Sequence, residues 1–244
     1  MSDKHVVIIT GAASGIGRAL AEAYRHSGSS VVLADTASEK LHALAHELGC
    51  VAMPTDVRRE DDLKALVSRT RKRFGQIDVY VNNAGIGYDG PVAEGDLGEW
   101  RDMIDTNLWG VMIGTREALK VMRRQRRGDI VFIDSQAGRT PVPNMAVYAA
   151  TKWGMRGFAE VIWRESFVTN VRVIMVEPGS VETRFFDNLS AERRAEVSDD
   201  PLLTPQQVAD MVVFATSQDD RVLVHEIRAN AIRRDGGDNG RAGR

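Results

Sequence analysis

Short runs of apolar, β-branched residues alternate with longer amphipathic segments along most of this chain. The runs are His5–Thr10, Ser30–Ala34, Val51–Met53, Asp78–Val81, Asp129–Ile133, Val171–Val176 and Val222–Ile227. They are continuously apolar, which is typical of strands buried on both faces. Segments such as Glu39–Leu48 and Arg59–Phe74 carry apolar residues at helical spacing instead. Strands and helices that alternate in this way form a parallel sheet with helices on both faces. The sequence therefore predicts an α/β fold with about seven strands.

Length and composition favour a single globular domain. The chain has 244 residues, of which 43% are hydrophobic and 27% charged, and no shift in composition marks a linker. One domain is therefore expected over residues 1–232. The net charge of −2 gives no reason to expect nucleic acid as a partner, and no apolar run approaches the ~20 residues that span a membrane. Since the start of the chain lacks a signal-peptide pattern, we expect a cytoplasmic protein.

The sequence offers little material for a disulfide or a metal site. Cys50 is the only cysteine, which excludes an intrachain disulfide and a cysteine-cluster metal site. His42 and His46 stand four residues apart on a predicted helix, a spacing that can bind a metal. Because they lack an obvious third ligand, we interpret them as helix-surface residues and expect no metal.

Two regions interrupt the alternation of strands and helices. Residues 187–201 are charged and lack a strand pattern. A long segment of this kind in a compact domain is often a functional lid, so we expect a mobile insertion that covers the substrate. Residues 233–244 are mostly Arg, Gly and Asp, a composition that predicts a disordered tail.

A glycine-rich turn directly follows the first predicted strand. The segment Thr10–Gly17 reads TGAASGIG and leads into the helical segment Arg18–Tyr24. Backbone amides in such a turn can approach a pyrophosphate at the helix N-terminus, where the helix dipole favours negative charge. Gly11 would make the tight turn, Gly15 would allow close approach, and Gly17 would let the helix pack against the strand. Glycines alone are a weak indication, since any tight turn favours them, but their position after the first strand strengthens it.

An acidic residue, Asp35, ends the second predicted strand. A carboxylate about 20 residues beyond the glycines can accept hydrogen bonds from the adenosine ribose hydroxyls, and it would repel a 2′-phosphate. Thr36 rather than Arg follows it, and no Lys or Arg interrupts the glycine turn. The sequence therefore predicts NAD as the cofactor in preference to NADP. The alternative interpretation of Asp35 is a surface acid at a strand end.

Tyr148 and Lys152 stand four residues apart on one face of a predicted helix. A free tyrosine has a pKa near 10, and a neighbouring ammonium group favours the phenolate and brings that pKa toward the neutral range. Such a pair alone is common on solvated helices. Ser135, however, follows the predicted strand Asp129–Ile133, where its hydroxyl could polarise a carbonyl.

Taken in order, these motifs resemble those of the short-chain dehydrogenase/reductase family, over roughly Val6 to Ile227. The matching segments are the glycine turn, Asn82-Asn83-Ala84-Gly85 after the fourth strand, Asn107, Ser135 with Tyr148-x-x-x-Lys152, and Glu177-Pro178-Gly179 with Thr183. The resemblance implies a doubly wound Rossmann-type sheet in a single domain and a nicotinamide cofactor, NAD with NADP possible. It also implies a small-molecule alcohol or carbonyl substrate and a homodimer or homotetramer.

The resemblance also implies roles for individual residues. Tyr148 would exchange a proton with the substrate oxygen that Ser135 holds. Lys152 would lower the pKa of Tyr148 and bond the nicotinamide ribose, and Asn107 would position a water. The implied cofactor contacts are Gly11, Ser14, Gly15, Ile16, Gly17, Asp35, Asp56, Val57, Asn83, Ala84, Gly85, Tyr148, Lys152, Pro178, Gly179, Val181 and Thr183. The expected substrate contacts are Ser135, Gln136, Met145, Tyr148 and Phe185. These surroundings are mainly apolar without an Arg or Lys cluster, which suits a neutral alcohol or ketone, or an aldehyde, of small to medium size.

Two residues depart from the commonest family pattern. Asp134 stands where a small or hydroxyl residue is more usual, and Glu177 stands where Asn often precedes the Pro-Gly pair. Glu177 and the ending 224–227 resemble a branch that acts on small aldehydes, ketones or hydroxy acids. Many members of that branch use NADP, in conflict with the interpretation of Asp35.

Two other functions are compatible with the same motifs. One is a non-catalytic dinucleotide-binding sensor or regulatory subunit, since a fold does not dictate a function. Such a protein would be expected to lose Tyr148 or Lys152, and both are present here. The other is an epimerase or dehydratase of the same family, which product analysis would separate.

Overall fold

The apolar runs form one sheet of seven parallel strands, in the order β3-β2-β1-β4-β5-β6-β7. The structure is a computed structural model, and it describes residues 5–198 and 200–232. Its strands are β1 Val6–Thr10, β2 Ser30–Asp35, β3 Val51–Pro54, β4 Val79–Asn82, β5 Gly128–Ile133, β6 Val171–Pro178 and β7 Glu226–Ala229. Because the chain moves outward from β1 in both directions, β1 and β4 part at their carboxyl ends. A crevice at such a point is where ligands bind in sheets of this kind. The predicted α/β class is confirmed.

Helices cover both faces of the sheet. They are α1 Gly15–His26, α2 Ser38–Leu48, α3 Glu60–Phe74, α4 Leu97–Ile104, α5 Gly110–Gln125, α6 Ala146–Ser166, α7 Ala191–Ser198 and α8 Pro205–Thr216. One apolar core joins α1, α2 and α8 to the sheet, and a second core joins α3, α5 and α6 to the opposite face. Among the residues that the structure describes, no helix has the length and apolar character needed to cross a membrane.

The alternation of side chains along β5 and β6 determines which of their residues are directed to the side of the sheet that α6 covers. Val131 on β5 and Ile174 on β6 belong to the core beneath α1 and α8, whereas Phe132 and Met175 pack beneath α6. Since side chains of a strand alternate between its faces, the later residues Asp134 and Glu177 are directed to the α6 face. The Asp134 amide donates to the Val176 carbonyl at 2.9 Å, so the pairing of the two strands extends to this point.

The last strand differs from its predicted position. The sequence predicts a strand over Val222–Ile227, whereas β7 spans Glu226–Ala229. Leu223 and Val224 are apolar because they pack against a core as irregular chain. The strand itself lies at the edge of the sheet, where alternating residues are exposed. In this part of the chain the apolar run therefore precedes the strand and does not mark it.

The segment expected to be a lid contains regular structure. A short 3-10 turn, Arg184–Asn188, and helix α7 lie within or beside residues 187–201. Asp89, from the loop after β4, accepts hydrogen bonds from the Ser190 amide and hydroxyl, both at 2.7 Å, and so holds the start of α7. The movement of residues 187–201 as a lid stays a prediction. The tail predicted over residues 233–244 lies outside the described residues.

Candidate active site

A cavity of about 640 Å³ opens at the carboxyl edge of the sheet, a volume in the usual range for small-molecule sites. It brings together the predicted cofactor residues Gly11, Ser14, Gly15, Ile16, Asp35, Asp56, Val57, Asn83, Ala84, Gly85, Tyr148, Lys152, Pro178, Gly179, Val181 and Thr183. The predicted substrate residues Ser135, Gln136, Met145, Tyr148 and Phe185 also line it. Gly17 and Asn107 are outside the lining of this cavity. The predicted site residues thus come from distant parts of the chain to one place.

The glycine turn has the shape that a phosphate cradle requires. Gly11 has a φ of +63°, and a Cβ there would lie 2.8 Å from the Ala84 Cα. A Cβ on Gly17 would lie 2.1 Å from the Gly11 carbonyl oxygen, so only glycine lets α1 begin this close to β1. The Ser14 side chain makes no cap hydrogen bond to α1, and the first turn of α1 has no acidic residue. Its amide groups suit an anionic ligand such as a pyrophosphate.

Two polar side chains hold this turn in place. The Asn83 amide donates to the Thr10 carbonyl at 2.8 Å and to the Gly11 carbonyl at 3.0 Å. The Asp35 carboxylate accepts the amides of Ala13 at 3.0 Å and Ala37 at 2.9 Å. Asn83, after β4, and Asp35, at the end of β2, therefore stabilise the conformation of the turn in addition to their predicted contacts with the cofactor.

Tyr148 and Lys152 lie one turn apart on α6, and both are buried. Burial raises the pKa of Tyr148, while the neighbouring Ser135 hydroxyl acts to lower it. Burial also lowers the pKa of Lys152. The Lys152 ammonium donates to the Ile133 carbonyl at 2.8 Å and lies 5.8 Å from the centre of the Tyr148 ring. The sequence led us to expect a lowered pKa for Tyr148. In this structure burial dominates, because Lys152 is directed to the carbonyl.

Asn107 lies in a single π-helical turn, Asp105–Trp109, that joins α4 to α5. Its side chain is fully buried, accepts the Ile86 amide at 2.9 Å, and donates to the Ile86 carbonyl at 2.8 Å and to Thr151 at 3.3 Å. It therefore connects the loop after β4 to α6 beside the reacting groups. Isolated π turns are frequent at functional sites. The helical spacing of the sequence gave no signal of this turn, and the water-positioning role of Asn107 stays a prediction.

Glu177 forms the centre of an ion-pair network that sequence reasoning missed. Its carboxylate is fully buried, accepts Arg139 at 2.8 Å, and also pairs with Arg156. Both arginines reach Glu226 on β7 as well, Arg156 at 2.8 Å. A signal was present in part, because Arg156 follows Lys152 by one helical turn and so shares its face. The network ties the Ser135 loop, α6, β6 and β7 together.

Asp134 lies next to this network but does not join it. It is 4% exposed, and neither carboxylate oxygen has a hydrogen-bond partner in the described part of the chain. Gly138 leaves room for the carboxylate, since a Cβ there would lie 2.8 Å from one of its oxygens. Burial raises the pKa of Asp134 to about 6, while the charge of Lys152 lowers it and that of Glu177 raises it.

The part of the cavity around Tyr148 is apolar. The Phe185 ring lies 5.3 Å from the Tyr148 ring between centroids. The cluster of buried residues around it consists of Met103, Ala137, Met145, Tyr148 and Leu189. This surface would exclude water from a bound alcohol or carbonyl carbon.

Three arginines that the sequence did not predict as site residues also line the cavity. Each is paired: Arg58 with Asp56 at 2.8 Å and Asp102 at 3.0 Å, Arg184 with Asp187 at 3.1 Å, and Arg193 with Glu196 at 2.9 Å. The Arg193 Nε is buried without a hydrogen-bond partner among residues 5–198 and 200–232. The sequence did not place these side chains together, because Arg58 comes from the segment after β3, Arg184 from the turn that follows β6, and Arg193 from α7.

Comparisons with known proteins agree with this geometry. The family described as short chain dehydrogenase matches residues 5–194. An oxidoreductase of Listeria monocytogenes is 34% identical over 233 residues, which cover 91% of this chain and 94% of that protein. An alcohol dehydrogenase from the archaeon Thermococcus sibiricus, solved with 5-hydroxy-NADP, superimposes with a TM-score of 0.85 at 28% identity, covering 94% and 97% of the two chains. A 3-ketoacyl-(acyl-carrier-protein) reductase from Brucella melitensis, solved with NADH, gives 0.86 at 26% identity, covering 93% and 96%.

Proposed function

The chain belongs to the short-chain dehydrogenase family of oxidoreductases, and from that premise we propose that it transfers a hydride between a nicotinamide cofactor and a secondary alcohol or ketone, or an aldehyde, of small to medium size. The observation that carries the proposal is that Ser135, Tyr148 and Lys152 line the same cavity as the glycine turn. An acid–base group and an anion cradle are thus available to one bound pair of molecules.

Each residue of the site has a chemical task in this proposal. Ser135 hydrogen-bonds the substrate oxygen, and Tyr148 passes its hydroxyl proton to that oxygen in reduction or accepts the proton in oxidation. Lys152, whose ammonium donates to the Ile133 carbonyl, would bond the nicotinamide ribose, and Asn107 would hold a water that connects Lys152 to solvent. When bound, the nicotinamide supplies the hydride chemistry.

NAD is the preferred cofactor in this proposal. Asp35 ends β2 at the cavity, where a carboxylate accepts ribose hydroxyls and repels a 2′-phosphate. Arg58 lines the cavity and is a candidate to bind such a phosphate, but it is already paired with Asp56 and Asp102. The relatives of known structure include proteins solved with either type of cofactor. The local chemistry of Asp35 is therefore the basis of the preference.

We also propose that the protein is a homodimer or homotetramer. Large apolar side chains are exposed beside and along α5 and α6: Trp109 is 48% exposed, Trp153 52% and Val161 55%. An apolar face of this kind is typical of a surface that a second subunit covers. Light scattering after size exclusion would give at least twice the mass of one chain, and Trp153→Glu would lower that mass. A monomeric wild-type protein would contradict this part of the proposal.

The function is tested by turnover with a panel of alcohols and ketones. The panel pairs each neutral secondary alcohol with a hydroxy acid of similar size, because Arg193 offers an unpartnered donor at the cavity. Purified protein should oxidise at least one alcohol with NAD⁺, and neutral members should be preferred. Tyr148→Phe should abolish turnover and leave NADH binding nearly intact, since the ring remains and the proton donor is lost. Retained turnover in Tyr148→Phe would remove Tyr148 from the acid–base role.

A further inference from the structure

Asp134 is a buried charge beside the reacting groups that the proposed mechanism does not use. It directly precedes Ser135, its side chain is directed to α6, and it is 4% exposed. Its two carboxylate oxygens have no hydrogen-bond partner within the described ranges. A carboxylate that is buried without partners is costly to keep charged. Its position next to Ser135 therefore calls for a functional explanation.

Among the charged and titratable groups that the structure describes around Asp134, Lys152 is the cation that is not already paired with another carboxylate. Tyr148, Lys152 and Arg156 on α6 and Glu177 on β6 interact with it electrostatically. Arg139, from the loop after Ser135, and Glu226 on β7 belong to the adjoining network of Glu177. Arg139 and Arg156 are both engaged by Glu177 and Glu226. Lys152 has no carboxylate partner in the part of the chain that the structure describes, and its ammonium donates to the carbonyl of Ile133, the residue before Asp134.

We propose that Asp134 is a positioning residue that acts through Lys152 and Tyr148, because its negative charge keeps Lys152 cationic and keeps Tyr148 protonated. The inference rests on the proposed function of that pair. In a buried site a charge acts over several ångströms with little screening. Asp134 therefore sets the pH range in which Tyr148 is ready to donate its proton to a substrate carbonyl, and it favours reduction at neutral pH.

The directions of the individual effects agree with this assignment. Burial lowers the pKa of Lys152, and the charge of Asp134 opposes that change. Burial raises the pKa of Tyr148, and the charge of Asp134 adds to that change. Since burial raises the pKa of Asp134 itself to about 6, the charge is present at neutral pH and is lost in mild acid.

The coupling can be measured without turnover. Carbon NMR of the side-chain carboxyl groups would follow Asp134, assigned by the signal that disappears in Asp134→Asn, or in Asp134→Ser if that variant fails to fold. We expect a titration midpoint about two units above the ordinary value for aspartate, and a further rise in Lys152→Met, which removes the favourable charge. A midpoint at the ordinary value, or one that Lys152→Met does not move, would overturn the proposal.

The pH dependence of alcohol oxidation provides the functional test. In Asp134→Asn and Asp134→Ser the apparent pKa of the group that must lose a proton should fall by roughly half to one unit, so that oxidation below that pKa becomes about three- to tenfold faster. Asp78→Asn is the matched control, because Asp78 is a buried carboxylate at the opposite edge of the sheet with hydrogen bonds to Val6 and Gln76. In Asp78→Asn the apparent pKa of alcohol oxidation should stay at the wild-type value.

An unchanged apparent pKa in both Asp134 variants would refute the proposal. If wild-type protein oxidises none of the alcohols with either cofactor, the proposed function fails. The NMR midpoints then decide alone whether Asp134 and Lys152 are coupled.

Discussion

Asp134 and Glu177 are buried carboxylates at the ends of neighbouring strands, and they differ in their hydrogen-bond partners. Both are directed to α6, and both are less than 5% exposed. Glu177 is paired with Arg139 and Arg156, whereas Asp134 has no hydrogen-bond partner among the described residues. The paired carboxylate serves the architecture by joining four elements. The unpaired carboxylate lies beside Ser135 and Lys152, and its pKa is raised by burial and lowered by the charge of Lys152.

The largest expected effect follows from breaking the paired carboxylate. Glu177→Gln should lower the free energy of unfolding by about 3 kcal/mol, because two arginines then lose their buried counter-charge and share only Glu226, which lies nearer the surface. Urea unfolding at neutral pH measures the change. Glu226→Gln is the matched control and should cost less, since Glu226 lies nearer the surface with its side chain 30% exposed. Equal and small losses in both variants would show that Glu177 is not the centre of the network.

Removal of the unpaired carboxylate should act in the opposite direction. The pKa of Asp134 is raised in the folded protein to about 6, so folding favours the protonated form and the charge opposes folding above that pH. The penalty is absent below the ordinary pKa of aspartate and grows as the pH rises toward 6. Asp134→Asn should therefore be more stable than wild type by about 2–3 kcal/mol at pH 8, with the gain disappearing near pH 4.

Unfolding at several pH values measures this difference. Asp78→Asn serves again as the control, and it should lose stability because the partners of Asp78 lose a charged acceptor. A destabilised Asp134→Asn at pH 8 would mean that the Asp134 carboxylate is partnered after all.

The fold was largely predictable because its strands are buried. Runs such as Ser30–Ala34 and Val171–Val176 are apolar except for Ser30 and Arg172, and the observed strands cover them. The strand β7 lies beyond most of its predicted run, because Leu223 and Val224 are apolar as core-packing irregular chain and not as strand residues. The glycine turn and the Tyr148–Lys152 pair were found because their spacing is local.

The network around Glu177 was not predictable, because its members meet only through the order of the strands. Arg139, Arg156 and Glu226 are separated along the chain, and their convergence requires β5, β6 and β7 to be neighbours in the sheet. The sequence marked Asp134 and Glu177 only as unusual residues. Their different partners, and the π turn that holds Asn107, follow from packing rather than from periodicity.

The smallest expected effect concerns the space around Asp134. A Cβ on Gly138 would lie 2.8 Å from one Asp134 oxygen, so Gly138→Ala should crowd the carboxylate and cost about 1–2 kcal/mol. In an Asp134→Ser background the shorter side chain leaves room, and most of the loss should disappear. A double-mutant cycle by urea unfolding measures this coupling. Additive losses would show that Gly138 is fixed by some other neighbour.

The central claim is that this cavity binds a nicotinamide dinucleotide beside Tyr148, with Asp35 selecting NAD. A side-by-side titration of the purified protein with NADH and NADPH, followed by nicotinamide fluorescence, tests it most directly. Much tighter binding of NADH is the predicted result, and Asp35→Ser should reduce the difference in affinity between NADH and NADPH. Tighter binding of NADPH would contradict the role of Asp35. Binding of neither cofactor would contradict the claim that this site is that of an active dehydrogenase.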